Sequence, residues 1–142
     1  MNYKIRKSTI VDADQLFSLV ESFSTSFIPE KSAFFNSFQN LLNDDSVLVN
    51  VVEFGNFIIG YCLAFDHYAF YANGRVTWVE EIMVSSNYRR KGIGRDLMNS
   101  VEKWASERNS KLIGLATRRA DSFYKSIGYE ESAIFFKKQI NS

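Results

Sequence analysis

Apolar residues recur along the chain with two periods, which predict where helices and strands lie. A spacing of three and four residues, typical of amphipathic helices, appears in four segments. Asp12 followed by Gln15 is the pattern of a helix-capping box and predicts the start of the first helix. Gly128 predicts the end of the last one. The predicted helices cover residues 12–23, 31–42, 93–108 and 120–127.

Strand-like alternation or short apolar runs fill most of the remaining chain. Gly55-Asn56 separates two such runs and favours positive φ, so these runs are predicted to form an antiparallel hairpin. Helices follow the strands at 75–85 and 111–116, which indicates an α/β or α+β fold with a mixed sheet. The predicted strands cover residues 3–7, 46–54, 57–65, 75–85, 111–116 and 129–138.

The composition narrows the class of protein. The 142 residues, 46% of them hydrophobic, are those of one soluble globular domain. A single cysteine, Cys62, and a single histidine, His67, exclude a disulfide framework within the chain and predict no metal site. We expect Cys62 to be a buried small hydrophobe and His67 to lie in a loop. No apolar run is long enough to span a bilayer, so a cytoplasmic protein without membrane contact is expected.

The net charge of +1 hides a division between two parts of the chain. Residues 1–88 carry 10 acidic and 5 basic side chains, whereas residues 89–142 carry 12 basic and 6 acidic ones. The electrostatic field of these charges can attract a cationic ligand to the first part and a polyanionic ligand to the second. A chance distribution of solvated surface charges would give the same numbers of acidic and basic residues.

The segment from Tyr88 to Arg95 joins a predicted strand to the predicted helix at 93–108. Gly92 and Gly94 allow a tight turn and a close approach of the backbone to a ligand. The unpaired N–H groups and the dipole of the helix, with Arg89, Arg90, Lys91 and Arg95 beside them, favour a phosphate or pyrophosphate. The segment is neither a Walker A loop nor a G-x-G-x-x-G dinucleotide fingerprint.

Two motifs resemble those of one enzyme family. Arg89-x-x-Gly92-x-Gly94, after a strand that ends in Ile82-Met83-Val84, is similar to the acetyl-CoA signature of the GNAT superfamily of N-acetyltransferases. The later segment Ala120-x-x-Phe123-Tyr124-x-x-x-Gly128-Tyr129 is similar to a second motif of that family. The resemblance implies one N-acetyltransferase domain over residues 1–142, with a mixed central sheet of six to seven strands and about four helices.

The resemblance also implies roles for individual residues. The main chain at Met83 and Val84 would pair with the pantetheine arm of acetyl-CoA, and the Val84 N–H would polarise the thioester carbonyl. Tyr124 would donate a proton to the leaving thiolate. Thr117 stands where many members carry an asparagine that contacts pantetheine. The implied acetyl-CoA-binding residues are Ile82, Met83, Val84, Arg89, Arg90, Lys91, Gly92, Ile93, Gly94, Arg95, Thr117 and Tyr124.

An acceptor amine must lose a proton before it attacks, which requires a base. Glu80 and Glu81 precede the implied acetyl-CoA contact, and strict alternation would place them on opposite faces of the strand. Glu80 is favoured because it stands four residues before Val84, as a glutamate does in family members that act on aminoglycosides or polyamines. Glu81 and a water chain remain alternatives.

These observations predict direct transfer of an acetyl group from acetyl-CoA to a primary amine in a ternary complex. The acceptor is open: a small cationic amine or a protein amine. The alternative is a non-catalytic acetyl-CoA-binding or interaction domain of the same fold.

The basic residues cluster at one helix start, which argues against nucleic-acid binding. Residues 134–136 could pair two copies into a homodimer or pack inward. Aromatic residues in the acceptor segments, which could enclose an alkylammonium group, are Phe27, Phe34, Phe35, Phe38, Tyr68, Phe70, Tyr71 and Trp78.

Overall fold

A mixed sheet of five strands forms the centre of the protein in the computed structural model, which describes residues 1–24 and 26–141. The strands are β1 (Lys4–Lys7), β2 (Val47–Phe54), β3 (Phe57–Ala69), β4 (Gly74–Val84) and β5 (Ile113–Leu115). They lie side by side in chain order. Neighbours from β1 to β4 are antiparallel, and β5 runs parallel to β4. The expected α+β fold with a mixed sheet is confirmed.

Four helices cover the two faces of the sheet: α1 (Ala13–Phe23), α2 (Lys31–Leu42), α3 (Ile93–Glu107) and α4 (Asp121–Ser126). On one face, α3 packs its apolar side against β2, β3 and β4, with Tyr124 of α4 in the same cluster. On the other face, α1 and α2 pack around Phe38, Val51 and Tyr61. No helix within residues 1–24 and 26–141 is long and apolar enough to cross a membrane.

The apolar periodicity of the helices corresponds to burial. Leu97, Met98 and Val101 of α3 are fully buried, and Ile93 is 1% exposed. Each such side chain contributes about 1.5 to 3 kcal/mol through its removal from water. This burial fixes the first turn of α3 against the sheet, and with it the position of the Gly92 loop.

The hairpin of β2 and β3 is confirmed, with Phe54 opposite Phe57 and Gly55 at φ +61°. β3 continues beyond its predicted end to Ala69 because its last residues pair with the start of β4. His67 lies opposite Val76 in this ladder, so the expectation of a loop histidine is wrong. Cys62 is fully buried, as expected.

The first helix starts where it was predicted, but its capping contacts differ. Asp12 accepts a hydrogen bond from the Thr9 N–H and pairs with Arg6, whose two terminal nitrogens each lie 2.8 Å from its carboxylate oxygens. Gln15 instead accepts from the Ile58 N–H at 2.8 Å and donates to the Asn56 carbonyl. It therefore ties α1 to the hairpin and takes no part in a cap.

The strand predicted at residues 129–138 is absent, so the described chain has five strands where six to seven were expected. Apolar character shows only that a segment suits a pleated surface, whereas a strand also needs a partner for its hydrogen bonds. β5 is only three residues long and offers a short outer edge. Ile134 and Phe136 are 81% and 85% exposed, and Phe135 stacks on Trp78 with ring centroids 6.3 Å apart.

Candidate active site

A β-bulge in β4 controls the direction of the two candidate bases. Leu63 of β3 lies opposite Glu81, but the next residue, Ala64, lies opposite Val79, so Glu80 is an extra residue without a partner. The extra residue reverses the alternation. Both Glu80 and Glu81 consequently line the cleft on the α1 and α2 face, and the prediction that they face opposite sides is wrong.

Each of these carboxylates accepts a hydrogen bond from an aromatic side chain of the sheet. The Tyr61 hydroxyl donates to Glu81 at 2.7 Å, and the Trp78 indole N–H donates to Glu80 at 2.7 Å. Burial and the Glu81 charge raise the pKa of Tyr61 well above its ordinary value, so this hydroxyl remains a donor at neutral pH. Both carboxylates are thus held in position at the cleft.

The cleft has a volume of about 870 Å³ and lies between the sheet and the helices α1 and α2. Three of the predicted acceptor-side aromatics, Phe27, Phe34 and Phe38, line it. Tyr68, Phe70 and Tyr71 lie elsewhere, exposed at the end of the β3–β4 hairpin. Phe35 packs edge-on against Phe34 but does not line the cleft. This cleft is large enough for a small-molecule acceptor.

The edge of β4 that points away from β3 has no strand partner beyond Val79 among the described residues, because β5 pairs with Thr77–Val79. The Ser85 N–H donates to the Ile59 carbonyl at 2.8 Å, which makes Val84, opposite Gly60, a residue of a non-hydrogen-bonded pair. The Val84 N–H and C=O therefore point away from β3. The guanidinium of Arg89 donates to this carbonyl at 3.1 Å, whereas the Val84 N–H has no strand partner among the residues that the structure describes.

The side chains of the same segment divide between the faces of the sheet. Ile82 and Val84 pack against the cluster under α3, whereas Met83 packs against the cluster under α1 and α2. Met83 lies opposite Tyr61 in the neighbouring hydrogen-bonded pair, so its N–H and C=O point towards β3, whereas those of Ile82, like those of Val84, point to the outer edge of β4.

The loop before α3 presents backbone N–H groups and positive charge together. Gly92 is the N-cap residue at φ +84°. The first hydrogen bond of the helix runs from the Asp96 N–H to the Gly92 carbonyl. The N–H groups of the residues before Asp96 have no partner within the helix. Arg90 also has a positive φ of 62°. Arg89, Arg90, Lys91 and Arg95 are exposed around this helix start, and the Ile93 side chain is buried in the core.

Tyr124 of α4 lies on the α3 face of the sheet, across β4 from the two glutamates. Its side chain is buried, but its hydroxyl makes no hydrogen bond to any described residue and is not sealed from solvent. Burial raises the pKa of this hydroxyl, which is therefore protonated at neutral pH. The Thr117 hydroxyl accepts a hydrogen bond from the Ala120 N–H at 3.1 Å and keeps its own proton available for a further bond.

Sequence reasoning missed Tyr61. Its partner Glu81 lies diagonally across the ladder, two residues along β4 from Met83, which is directly opposite Tyr61. Only the register and the bulge bring the two side chains together, and neither has a local signal in the sequence. Among the residues that the structure describes, no group of three or more His, Cys, Asp or Glu side chains could hold a metal ion.

Comparisons with known proteins agree on the fold and the family. The family model described as "Acetyltransferase (GNAT) family" matches residues 13–129. An uncharacterised N-acetyltransferase of Methanocaldococcus jannaschii is 32% identical over 63 residues, which are 42% of this chain and 28% of that protein. The chain thus matches well under two thirds of the length of this relative.

Solved structures share the fold over nearly the whole chain. The glucosamine-6-phosphate N-acetyltransferase of Arabidopsis thaliana superposes with a TM-score of 0.88 at 20% identity, covering 99% of this chain and 100% of that one. An aminoglycoside N-acetyltransferase in complex with CoA superposes with a TM-score of 0.81 at 18% identity, covering 98% and 96%. Because the family model spans most of the chain, including both motifs, the protein belongs to the GNAT family of acetyltransferases.

Proposed function

We propose that the protein is an N-acetyltransferase that transfers the acetyl group of acetyl-CoA directly to a primary amine, with both substrates bound at once. The observation that carries this proposal is the arrangement around β4. An open main-chain edge at Val84 lies between an acidic cleft at Glu80 and Glu81 on one face and the Tyr124 hydroxyl on the other.

The residues present fit acetyl-CoA. The outward-pointing main-chain groups of Ile82 and Val84 offer partners for the amides of pantetheine, as an added strand would. The N–H groups at the start of α3 and the side chains of Arg89, Arg90, Lys91 and Arg95 suit the pyrophosphate. Apart from its chain neighbours, no described residue comes within 4 Å of the position of a Cβ added at Gly92, so the backbone is open to a ligand there. Thr117 has a hydroxyl proton to donate. The related aminoglycoside N-acetyltransferase has been crystallised with CoA.

When bound, acetyl-CoA would supply a thioester: the amine nitrogen would bond to its carbonyl carbon, and the C–S bond would break with its electron pair leaving on the CoA sulfur. The Val84 N–H donates a hydrogen bond to the carbonyl oxygen, where negative charge develops. Glu81 with Tyr61 orients the ammonium, and Glu80 accepts one of its protons so that the amine can attack. The second nitrogen proton leaves to solvent as the amide forms. Tyr124 donates its proton to the departing sulfur, a role that suits a phenol kept protonated by burial.

Calorimetric titration with acetyl-CoA, together with a mass-spectrometric search for acetylated products over a broad panel of amines, tests the proposal. We expect saturable binding of acetyl-CoA and an acetylated product with at least one amine. Binding without a product from any amine would instead favour the non-catalytic acetyl-CoA-binding domain. Absence of binding by folded protein would contradict both functions.

A further inference from the structure

The cleft that holds Glu80 and Glu81 combines acidic groups with walls that are mostly apolar. Glu30 at the start of α2 adds a third carboxylate to the lining, and no Lys, Arg or His side chain of the described chain lines it. A ligand with a negative group would therefore face carboxylates without a compensating cation. A ligand with one positive group meets attraction from the same carboxylates.

The walls of the cleft suit a ring or an alkyl chain. Phe34 and Phe38 stack with centroids 5.6 Å apart, and Phe34 also packs against Phe17 at 5.4 Å. Leu16 and Leu63 continue this surface between α1 and β3. The aromatic rings are held by one another and by the core, so the surface is formed before any ligand binds. Hydroxyl-rich ligands would lose hydrogen bonds to water against it.

We infer that the acceptor is a primary amine on an apolar body, an arylalkylamine or alkylamine, whose ammonium lies at Glu80 and Glu81 and whose body packs on Phe34 and Phe38. This inference rests on the proposed function and narrows its acceptor. Sugar phosphates, amino acids with a free carboxylate and polyhydroxylated amines are poor acceptors by the same reasoning. Three of the ten acidic side chains of residues 1–88 line this cleft, and their field attracts a cationic ligand.

Matched probes test the inference. The value of kcat/KM is measured at saturating acetyl-CoA for 2-phenylethylamine, phenylalanine, spermidine and glucosamine 6-phosphate. Phenylalanine is 2-phenylethylamine with an added carboxylate, so this pair isolates the effect of negative charge. We expect 2-phenylethylamine to exceed phenylalanine and glucosamine 6-phosphate by about tenfold or more, since their anionic groups would face the carboxylates of the cleft. We expect the same margin over spermidine, because its additional ammonium groups would lose hydration against the apolar walls. An equal or higher value for any of the other three overturns the inference.

A charge placed in the cleft supplies a second test. Ser37 lies on the exposed side of α2 and lines the cleft, whereas Gln39 is exposed on the same helix and does not line it. Ser37→Lys should raise KM for 2-phenylethylamine about tenfold by repulsion of its ammonium. Gln39→Lys should change KM by no more than about twofold, as surface substitutions do. Equal effects of the two variants would contradict the assigned cleft.

Direct calorimetric titrations of acetyl-CoA and of 2-phenylethylamine, each without the other, separate the inference from the proposed function. Acetyl-CoA binding with preferential acetylation of spermidine or glucosamine 6-phosphate refutes the inference and retains the function. Absence of acetyl-CoA binding and of every product refutes the function. If the function is refuted in this way, the affinities of the two amines still test the inference. Tighter binding of 2-phenylethylamine than of phenylalanine would support the acceptor cleft by itself. Equal or weaker binding would refute the inference as well.

Discussion

The Tyr61 hydroxyl of β3 donates a 2.7 Å hydrogen bond to the Glu81 carboxylate of β4 inside the cleft. Tyr61 is 3% exposed, and the raised pKa of its hydroxyl keeps the donor protonated. The bond fixes Glu81 towards the cleft, next to a second carboxylate that Trp78 holds in the same manner. Two parallel substitutions can therefore distinguish the roles of the two carboxylates.

Tyr61→Phe removes the donor to Glu81 and keeps the ring. We expect KM for the amine to rise about tenfold, the size of one lost hydrogen bond to a charged group, with little change in kcat. Steady-state kinetics with an accepted amine checks this split. The matched control is Trp78→Phe, which removes the donor to Glu80 and should affect kcat more than KM. The same split in both variants would contradict separate roles.

Glu80→Gln removes the proposed base and keeps the shape of the side chain. A lost general base reduces kcat by about 100-fold or more. Glu81→Gln should mainly raise KM for the amine. Initial rates at saturating acetyl-CoA measure both effects. A larger kcat loss in Glu81→Gln would transfer the role of base to Glu81, and unchanged kcat in both variants would favour a water chain.

Tyr124→Phe should lower kcat by about 100-fold, because the leaving sulfur loses its proton donor. The free energy of unfolding should change little, since the hydroxyl makes no hydrogen bond to a described residue. Tyr129→Phe is the control: its ring packs against Tyr124 at 6.0 Å and its hydroxyl donates to Glu102 at 2.8 Å. That variant should lose about 1 kcal/mol of stability and keep its kcat. Full turnover by Tyr124→Phe would exclude the acid role.

Gly92→Ala should weaken acetyl-CoA binding through the backbone, because φ +84° is unfavourable for a residue with a Cβ. Gly55→Ala provides a matched control. Gly55 also has positive φ and, its chain neighbours aside, no described residue within 4 Å of an added Cβ, but it lies in the β2–β3 turn. Both variants should lose about 1 to 2 kcal/mol of stability. Calorimetry should show a loss of acetyl-CoA affinity for Gly92→Ala alone. An equal loss in both variants would mean that the loop has no specific role.

Asp12→Asn should destabilise the fold at neutral pH by about 2 kcal/mol, since Asp12 accepts charge-assisted hydrogen bonds from Arg6. Arg6 lowers the pKa of Asp12 below its ordinary value. A lowered pKa in the folded state gives stability above the unfolded pKa, and this stability is lost as pH falls through the folded value. Urea unfolding of both proteins at pH 7 and at successively lower pH should show the difference in stability shrink as the pH falls through the folded-state pKa of Asp12. A difference independent of pH would contradict the assignment to this pair.

The sequence by itself determined the positions of those helices and turns that depend only on residues close together along the chain. The buried positions of α3, the Gly55 turn and the Gly92 helix start each depend on neighbouring residues, so they could be predicted from spacing. Both family motifs are likewise contiguous segments. Their positions relative to the strands therefore followed from the order of elements along the chain.

Only the tertiary structure decided which way Glu80 and Glu81 face and what contacts them. The bulge depends on the pairing of β4 with β3, and the Tyr61 contact depends on that register. The missing strand at residues 129–138 has the same origin, because a strand forms only where another backbone supplies its hydrogen bonds. Pairing between segments distant along the chain is a property of the assembled sheet, and local spacing carries no information about it.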